Sequence, residues 1–175
     1  MSESAAAHTT ADPGADCRAI ENLIATYPHL VDAGDFAGVD ALLADATFIG
    51  SGAPVSGPGA IDRMLRSTVI VYEDGTPRTK HMVTNIIIDL DDDSGTAAAR
   101  SYVTVLQAAP GIPLQTIAAG RYLDRFERRD GLWRFTERRV HIDLVGDVSH
   151  HLRRASAGKS ARDAEPGRSA HVNAG

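Results

Sequence analysis

A chain of 175 residues with 43% hydrophobic content can fill one globular core and has little left for a second. Its net charge of -5 comes without any stripe of Lys and Arg, which argues against a nucleic-acid groove or an anionic membrane surface, and its apolar runs are too short to cross a bilayer. One cysteine, Cys17, excludes an internal disulfide and a cysteine-based zinc site; with no basic-then-apolar leader, a soluble, cytoplasmic protein is expected.

Residues 1–14 and 153–175 are rich in Ala, Ser, Thr and Gly and read as disordered tails around a single folded domain at 15–152. Ile20, Leu23, Ile24, Tyr27, Leu30 and Val31 recur at helical spacing, which predicts an amphipathic helix from about Ala15 to Ala33, with Gly34 at the stop position. Pro28 removes the hydrogen bond to the Ile24 carbonyl, so a kink is expected to turn Tyr27, His29 and Asp32 away from straight-helix directions. Asp35 can cap a short helix carrying Phe36, Val39, Leu42 and Leu43. A short strand from Thr47 to Ser51 comes next, and Gly57-Pro-Gly59 then leads into a third helix with Ile61, Met64 and Leu65.

From Thr79 the pattern changes to four long strands, broken at Asp91–Gly95, Pro110–Pro113 and Arg129–Gly131. Asp130-Gly131, between Phe126 and Trp133, signals a two-residue hairpin turn. Helices first and an antiparallel meander afterwards predict an α+β domain with the helices on one face of a curved antiparallel sheet and a cavity between the layers.

Two polar residues in apolar surroundings carry the chemistry. Asp32 closes the first helix and His81 opens the first long strand. A carboxylate bonded to one ring nitrogen fixes the imidazole tautomer and leaves the other nitrogen as a general base near neutral pH. The bland alternative is a satisfied core histidine. On the last strand Arg138 shares parity with Val140, Ile142 and Leu144, while Glu137, Arg139, His141 and Asp143 fall on the other side, so Arg138 should point inward. There it needs an anionic partner, such as Asp32, or a charge that develops during reaction. Tyr27 on the apolar helix face serves packing or catalysis, and Asn85, on His81's face, serves structure or substrate contact. His141, Asp143, His150 and His151 read as outward polar residues rather than a metal site. Gly57-Pro-Gly59 lacks the pattern of a phosphate loop. No metal or organic cofactor is required.

The helix end Leu30-Val-Asp32-Ala-Gly-Asp35-Phe with Leu42-Leu-Ala-Asp45, the segment Ser56-Gly-Pro-Gly-Ala-Ile61 and the hairpin Phe126-Glu-Arg-Arg-Asp-Gly-Leu-Trp133 resemble the SnoaL-like branch of the nuclear transport factor 2-like superfamily over about residues 15 to 150. The resemblance implies a cone of curved, mixed sheet closed by N-terminal helices, and assembly as a homodimer or homotrimer. Within that branch the aspartate-histidine pair resembles scytalone dehydratase and hexachlorocyclohexane dehydrochlorinase. The second of these also has a His-x-x-x-Asn strand like His81 to Asn85 and an arginine placed like Arg138. Tyr27 matches the spacing of the tyrosine in bile-acid dehydratases, but those carry an acid on the next strand where this chain has Tyr102-Val-Thr104-Val. The resemblance thus implies a cofactor-independent lyase acting on a small hydrophobic cyclic molecule, with His81, Asp32, Tyr27 and Arg138 catalytic and Asn85, Tyr102, Thr104, Val140 and Ile142 lining the substrate. An isomerase or cyclase uses the same base. A non-catalytic ligand-binding or oligomer-forming module and a dioxygenase small subunit are the other classes the fold hosts.

Overall fold

The computed structural model describes residues 12–153, so the expected tails fall almost wholly outside the described residues. Three helices and five strands follow in the order α1 (Pro13–Asp32), α2 (Phe36–Leu42), β1 (Thr47–Ile49), α3 (Ala60–Thr68), β2 (Thr79–Asp91), β3 (Thr96–Ala109), β4 (Ile112–Arg129) and β5 (Leu132–Val145). The strands form one sheet in the order β1-β5-β4-β3-β2. β1 runs parallel to β5 and the other neighbours are antiparallel, so the sheet is mixed, curved and unclosed.

α1 starts two residues earlier than its apolar pattern does, because the Asp12 side chain accepts from Gly14 N at 2.9 Å and Pro13 stands in the first turn, where a missing N–H costs nothing. Pro28 does not turn the helix face away. Ile20, Ile24, Tyr27, Pro28, Val31 and Asp32 are all buried at regular helical spacing, while His29 is exposed. The helix ends in a Schellman motif: Gly34 N donates to Val31 O at 3.0 Å and Asp35 N to Leu30 O at 2.9 Å. Gly34 sits at φ +73°, and a Cβ there would lie 2.1 Å from the carbonyl oxygen of Gly75, so two separate constraints require glycine. This stop is what holds Asp32 in place.

α2 and α3 cover the sheet beside α1. The N-cap of α3, Gly59, offers no side-chain oxygen. Asp40 of α2 supplies it instead, accepting from Gly59 N at 2.8 Å and Ile61 N at 3.1 Å. At the opposite end of the molecule the first turn of α1 is tied to the β4–β5 hairpin, where Asp16 accepts from Trp133 Nε1 at 2.7 Å and from Arg128 Nη1 at 2.9 Å. The hairpin turn is Asp130-Gly131, with φ of 53° and 77°.

The strands bend at irregularities. In β5 the pairing passes from Arg125↔Glu137 to Phe126↔Phe135, leaving Thr136 as an extra residue. Trp133 and Phe135 therefore face the core on odd numbers, and Arg138 and Val140 on even ones. A second shift comes between Ile142 and Leu144, after which Val145 borders the cavity at the exposed end of the strand and Leu144, expected inside, does not border it and is 69% exposed. In β2 the register breaks between Thr84 and Ile87, and Asn85 there takes φ 54°.

Candidate functional site

The site begins where the end of α1 meets the start of β2. Asp32 is buried, and its two oxygens accept three hydrogen bonds from one short stretch of strand. The Thr79 hydroxyl donates to Oδ1 at 2.7 Å, the His81 backbone N–H donates to Oδ2 at 2.9 Å, and His81 Nδ1 lies 2.6 Å from Oδ1. Burial alone would push the Asp32 carboxyl up, but the side-chain bond from His81, the histidine's charge, the His81 N–H and the Thr79 hydroxyl outweigh it and hold the group below its ordinary value of 3.8. An ionised Asp32 can only accept, so the proton of the neutral imidazole sits on Nδ1 and the lone pair on Nε2.

His81 opens on a cavity of about 390 Å³ between the helices and the concave face of the sheet. Its walls are mostly apolar, with Val31 from α1, Val69 after α3, Val105 from β3, Ile117 from β4 and Val140 and Ile142 from β5. Among the described residues no Lys, Arg, Asp or Glu side chain lines it. That size and lining suit a small organic ligand.

Tyr27 and Tyr122 line the cavity side by side, with ring centroids 5.9 Å apart and nearly perpendicular. Burial raises both hydroxyls above their ordinary value against the pull of the nearby Arg138 charge, so both stay protonated donors at any physiological pH. Tyr122 escaped the sequence reading, although it shares its inward face with Gly120, Asp124 and Phe126, a regular alternation along β4 that carried the signal. Thr79 escaped it as well. The alternation of β2 carried the signal, since Thr79 and His81 lie two residues apart and share a face.

Arg138 points into the interior, as its parity predicts, and is fully buried. Its partner is Asp124, directly opposite on β4, rather than Asp32. Nε and Nη2 donate to the two carboxylate oxygens at 2.9 and 2.8 Å, a bidentate pair. The guanidinium also packs 4.3 Å from the Tyr27 ring centroid, 4.4 Å from Tyr122 and 4.8 Å from Phe135. Burial works against its charge, but the Asp124 carboxylate more than offsets this and raises its pKa. Arg138 thus stands behind the two tyrosines and sets their position, without lining the cavity itself.

Of the remaining expected substrate contacts, Val140 and Ile142 line the cavity, whereas Asn85 and Tyr102 lie together in a groove on the opposite face of the sheet. The cause is register: Val103 and Val105 take the inward positions of β3, which turns Tyr102 and Thr104 outward, and the bulge removes Asn85 from His81's face. His151, expected to point outward, lines the same cavity as His81.

Residues 14–139 match the family model of the SnoaL-like domain, which is most of the chain. The chain belongs to the SnoaL-like family. No curated protein matches its sequence. Solved structures similar to this SnoaL-like chain include a candidate scytalone dehydratase from Novosphingobium aromaticivorans (22% identity over 87% of this chain and 97% of that one, TM-score 0.62). ActVI-ORFA from Streptomyces coelicolor is also similar (20%, 77% and 100%, TM-score 0.62). A third is an NTF2-like protein with a cystatin-like fold, again from Novosphingobium aromaticivorans (20%, 79% and 92%, TM-score 0.59). At these identities the likeness is one of fold.

Proposed function

We propose that this SnoaL-like protein is a cofactor-independent enzyme in which His81 removes a proton from a carbon atom of a small hydrophobic cyclic substrate. The observation that carries the reading is the ionised Asp32 at 2.6 Å from His81 Nδ1, with no hydrogen-bond partner on the other ring nitrogen among the described residues and the ring opening on an apolar cavity. His81 Nε2 accepts the proton and the imidazolium forms against the Asp32 carboxylate. The C–H electron pair moves into a new double bond as a leaving group departs with its own electrons, which is lyase chemistry of the dehydratase or dehydrohalogenase type. If no leaving group is present, the proton returns at another carbon and the reaction is an isomerisation, or the carbanion adds to a carbonyl carbon of the same molecule, whose oxygen takes up the proton, and the reaction is a cyclisation. The tyrosine hydroxyls stand ready for the developing negative charge. The candidate scytalone dehydratase among the fold's neighbours is consistent with this class.

The competing reading, a buried ion network without chemistry, suits Arg138 and Asp124, which form a bidentate pair and do not line the cavity. It suits Asp32 and His81 less well, because His81 does line it. Purified protein incubated in deuterated water with small cyclic ketones, β-hydroxy carbonyl compounds and halogenated rings tests the proposal. Deuterium uptake or elimination should fall at least about a hundredfold in His81→Ala and in Asp32→Asn. Undiminished turnover in His81→Ala would sink the base assignment. We further propose that the protein acts as a homodimer or homotrimer assembled through the outer face of the sheet.

A further inference from the structure

His151 belongs to a strap, residues 146–153, that returns from the end of β5 to the connection between α3 and β2. The strap is held at each step: Ile70 N donates to His151 O at 2.8 Å, Arg153 N to Thr68 O at 2.8 Å, and Val69 forms a bridge with Leu152. The carbonyl of His150 accepts from both Tyr72 Oη at 2.8 Å and the buried Gln107 Nε2 at 3.0 Å. The backbone on both sides of His151 is therefore fixed, and its ring is carried into the wall of the cavity that His81 also lines.

The two ring nitrogens have unequal surroundings. Nδ1 is sealed from solvent and has no hydrogen-bond partner among the described residues, whereas Nε2 is not among the sealed atoms. An unpaired buried N–H is the costlier orphan, so the single proton of the neutral ring belongs on Nε2. Burial, and then the positive charge of a protonated His81, lower the His151 pKa to about 4 against a smaller opposing effect of Asp32. The ring therefore stays neutral near pH 7, and stays so when His81 gains its proton.

We propose that His151 anchors a substrate oxygen, its Nε2–H donating a hydrogen bond to the carbonyl whose neighbouring carbon faces His81, so that the cavity takes small uncharged cyclic ketones and their enol or phenol forms. This rests on the proton-abstraction reading of His81. The C–H bond breaks, the proton goes to His81 Nε2, the electron pair forms a carbon–carbon double bond, and the carbonyl π pair moves onto oxygen as the hydrogen bond from His151 strengthens. His151 keeps its proton throughout. A carboxylate substrate is disfavoured, because Arg138 lies outside the cavity paired with Asp124 and no Lys or Arg side chain among the described residues lines the cavity. A saturated halogenated ring offers His151 no carbonyl.

Binding of 1-naphthol and of naphthalene to the full chain separates the oxygen contact from apolar burial. The wild type should prefer 1-naphthol by about tenfold, the size of one good hydrogen bond. His151→Phe should lose that preference while still binding naphthalene, which also reports an intact cavity, and His151→Gln, which keeps a donor at the Nε2 position, should retain most of it. The 15N ring shifts of His151 should show a neutral Nε2–H tautomer at pH 7 that responds to 1-naphthol. An equal preference in wild type and His151→Phe overturns the proposal, as does a wild type with no preference or an imidazolium spectrum at pH 7. Failure of the His81 reading is recorded separately, as exchange undiminished in His81→Ala, which does not involve these ligands.

Discussion

Asp32 uses two oxygens for three donors, and this arrangement decides both the chemistry of His81 and the acid behaviour of the domain. Its folded pKa lies below 3.8, so the stability it contributes is complete at neutral pH and is lost as pH falls through and below that value. His151 acts in an earlier window. Its folded pKa is lowered from 6.5 to about 4, so the unfolded chain takes up the proton first and stability declines as pH falls from 6.5 towards about 4. His151→Gln should flatten the dependence of Tm on pH in that interval relative to wild type; identical slopes would show that the ring is not held neutral. Arg138 makes a third prediction at this scale. Arg138→Met leaves the Asp124 charge buried and unpaired and should cost about 3–5 kcal/mol in chemical denaturation, whereas Arg138→Met with Asp124→Leu should recover much of it. A single variant as stable as wild type would contradict the buried pair.

The end of α1 is the element on which the site depends. Gly34→Ala meets both a positive φ and a backbone carbonyl at 2.1 Å, so a loss of about 2 kcal/mol or more is expected, together with reduced activity because Asp32 would shift. Asp40→Ala, which uncaps α3 from outside, should cost about 1 kcal/mol and leave the dyad untouched. The helices and strands themselves were legible in the sequence, because their apolar spacing, the Gly34 stop and the Asp130-Gly131 turn are local signals. The facing of side chains was legible only between bulges. Parity counted back from Arg138 predicts Val140 correctly and fails at Leu144, where an extra residue inverts the strand. Asn85 fails in the same way at the β2 bulge. Pro28 shows the converse, a local rule overridden by tertiary burial of a continuous helix face.

At the scale of the whole molecule, the helices cover one face of the sheet and leave the other with Tyr102, Ile87 and Leu123 exposed in a groove that also holds Asn85, Arg100 and Arg121. A face of that composition suits a second copy of the chain. Tyr102→Glu should shift the sedimentation coefficient to that of a monomer without altering dyad geometry, and a wild type that sediments as a monomer at all concentrations would remove this role. His151 and Asp124 mark the limit of sequence reading at this scale. Each reaches the site or its support through distant contacts, His151 by way of a strap fixed to Ile70 and Thr68 and Asp124 by cross-strand register with Arg138, and no local pattern announces either contact.

His81, oriented by Asp32, is proposed to take a proton from carbon inside the apolar cavity. The most direct measurement is deuterium incorporation from solvent into a small cyclic ketone, followed by NMR, for wild type, Asp32→Asn and His81→Ala with folding checked by circular dichroism. Incorporation by the wild type that drops at least about a hundredfold in both folded variants is the predicted result. Incorporation that persists at the wild-type rate in folded His81→Ala would contradict it.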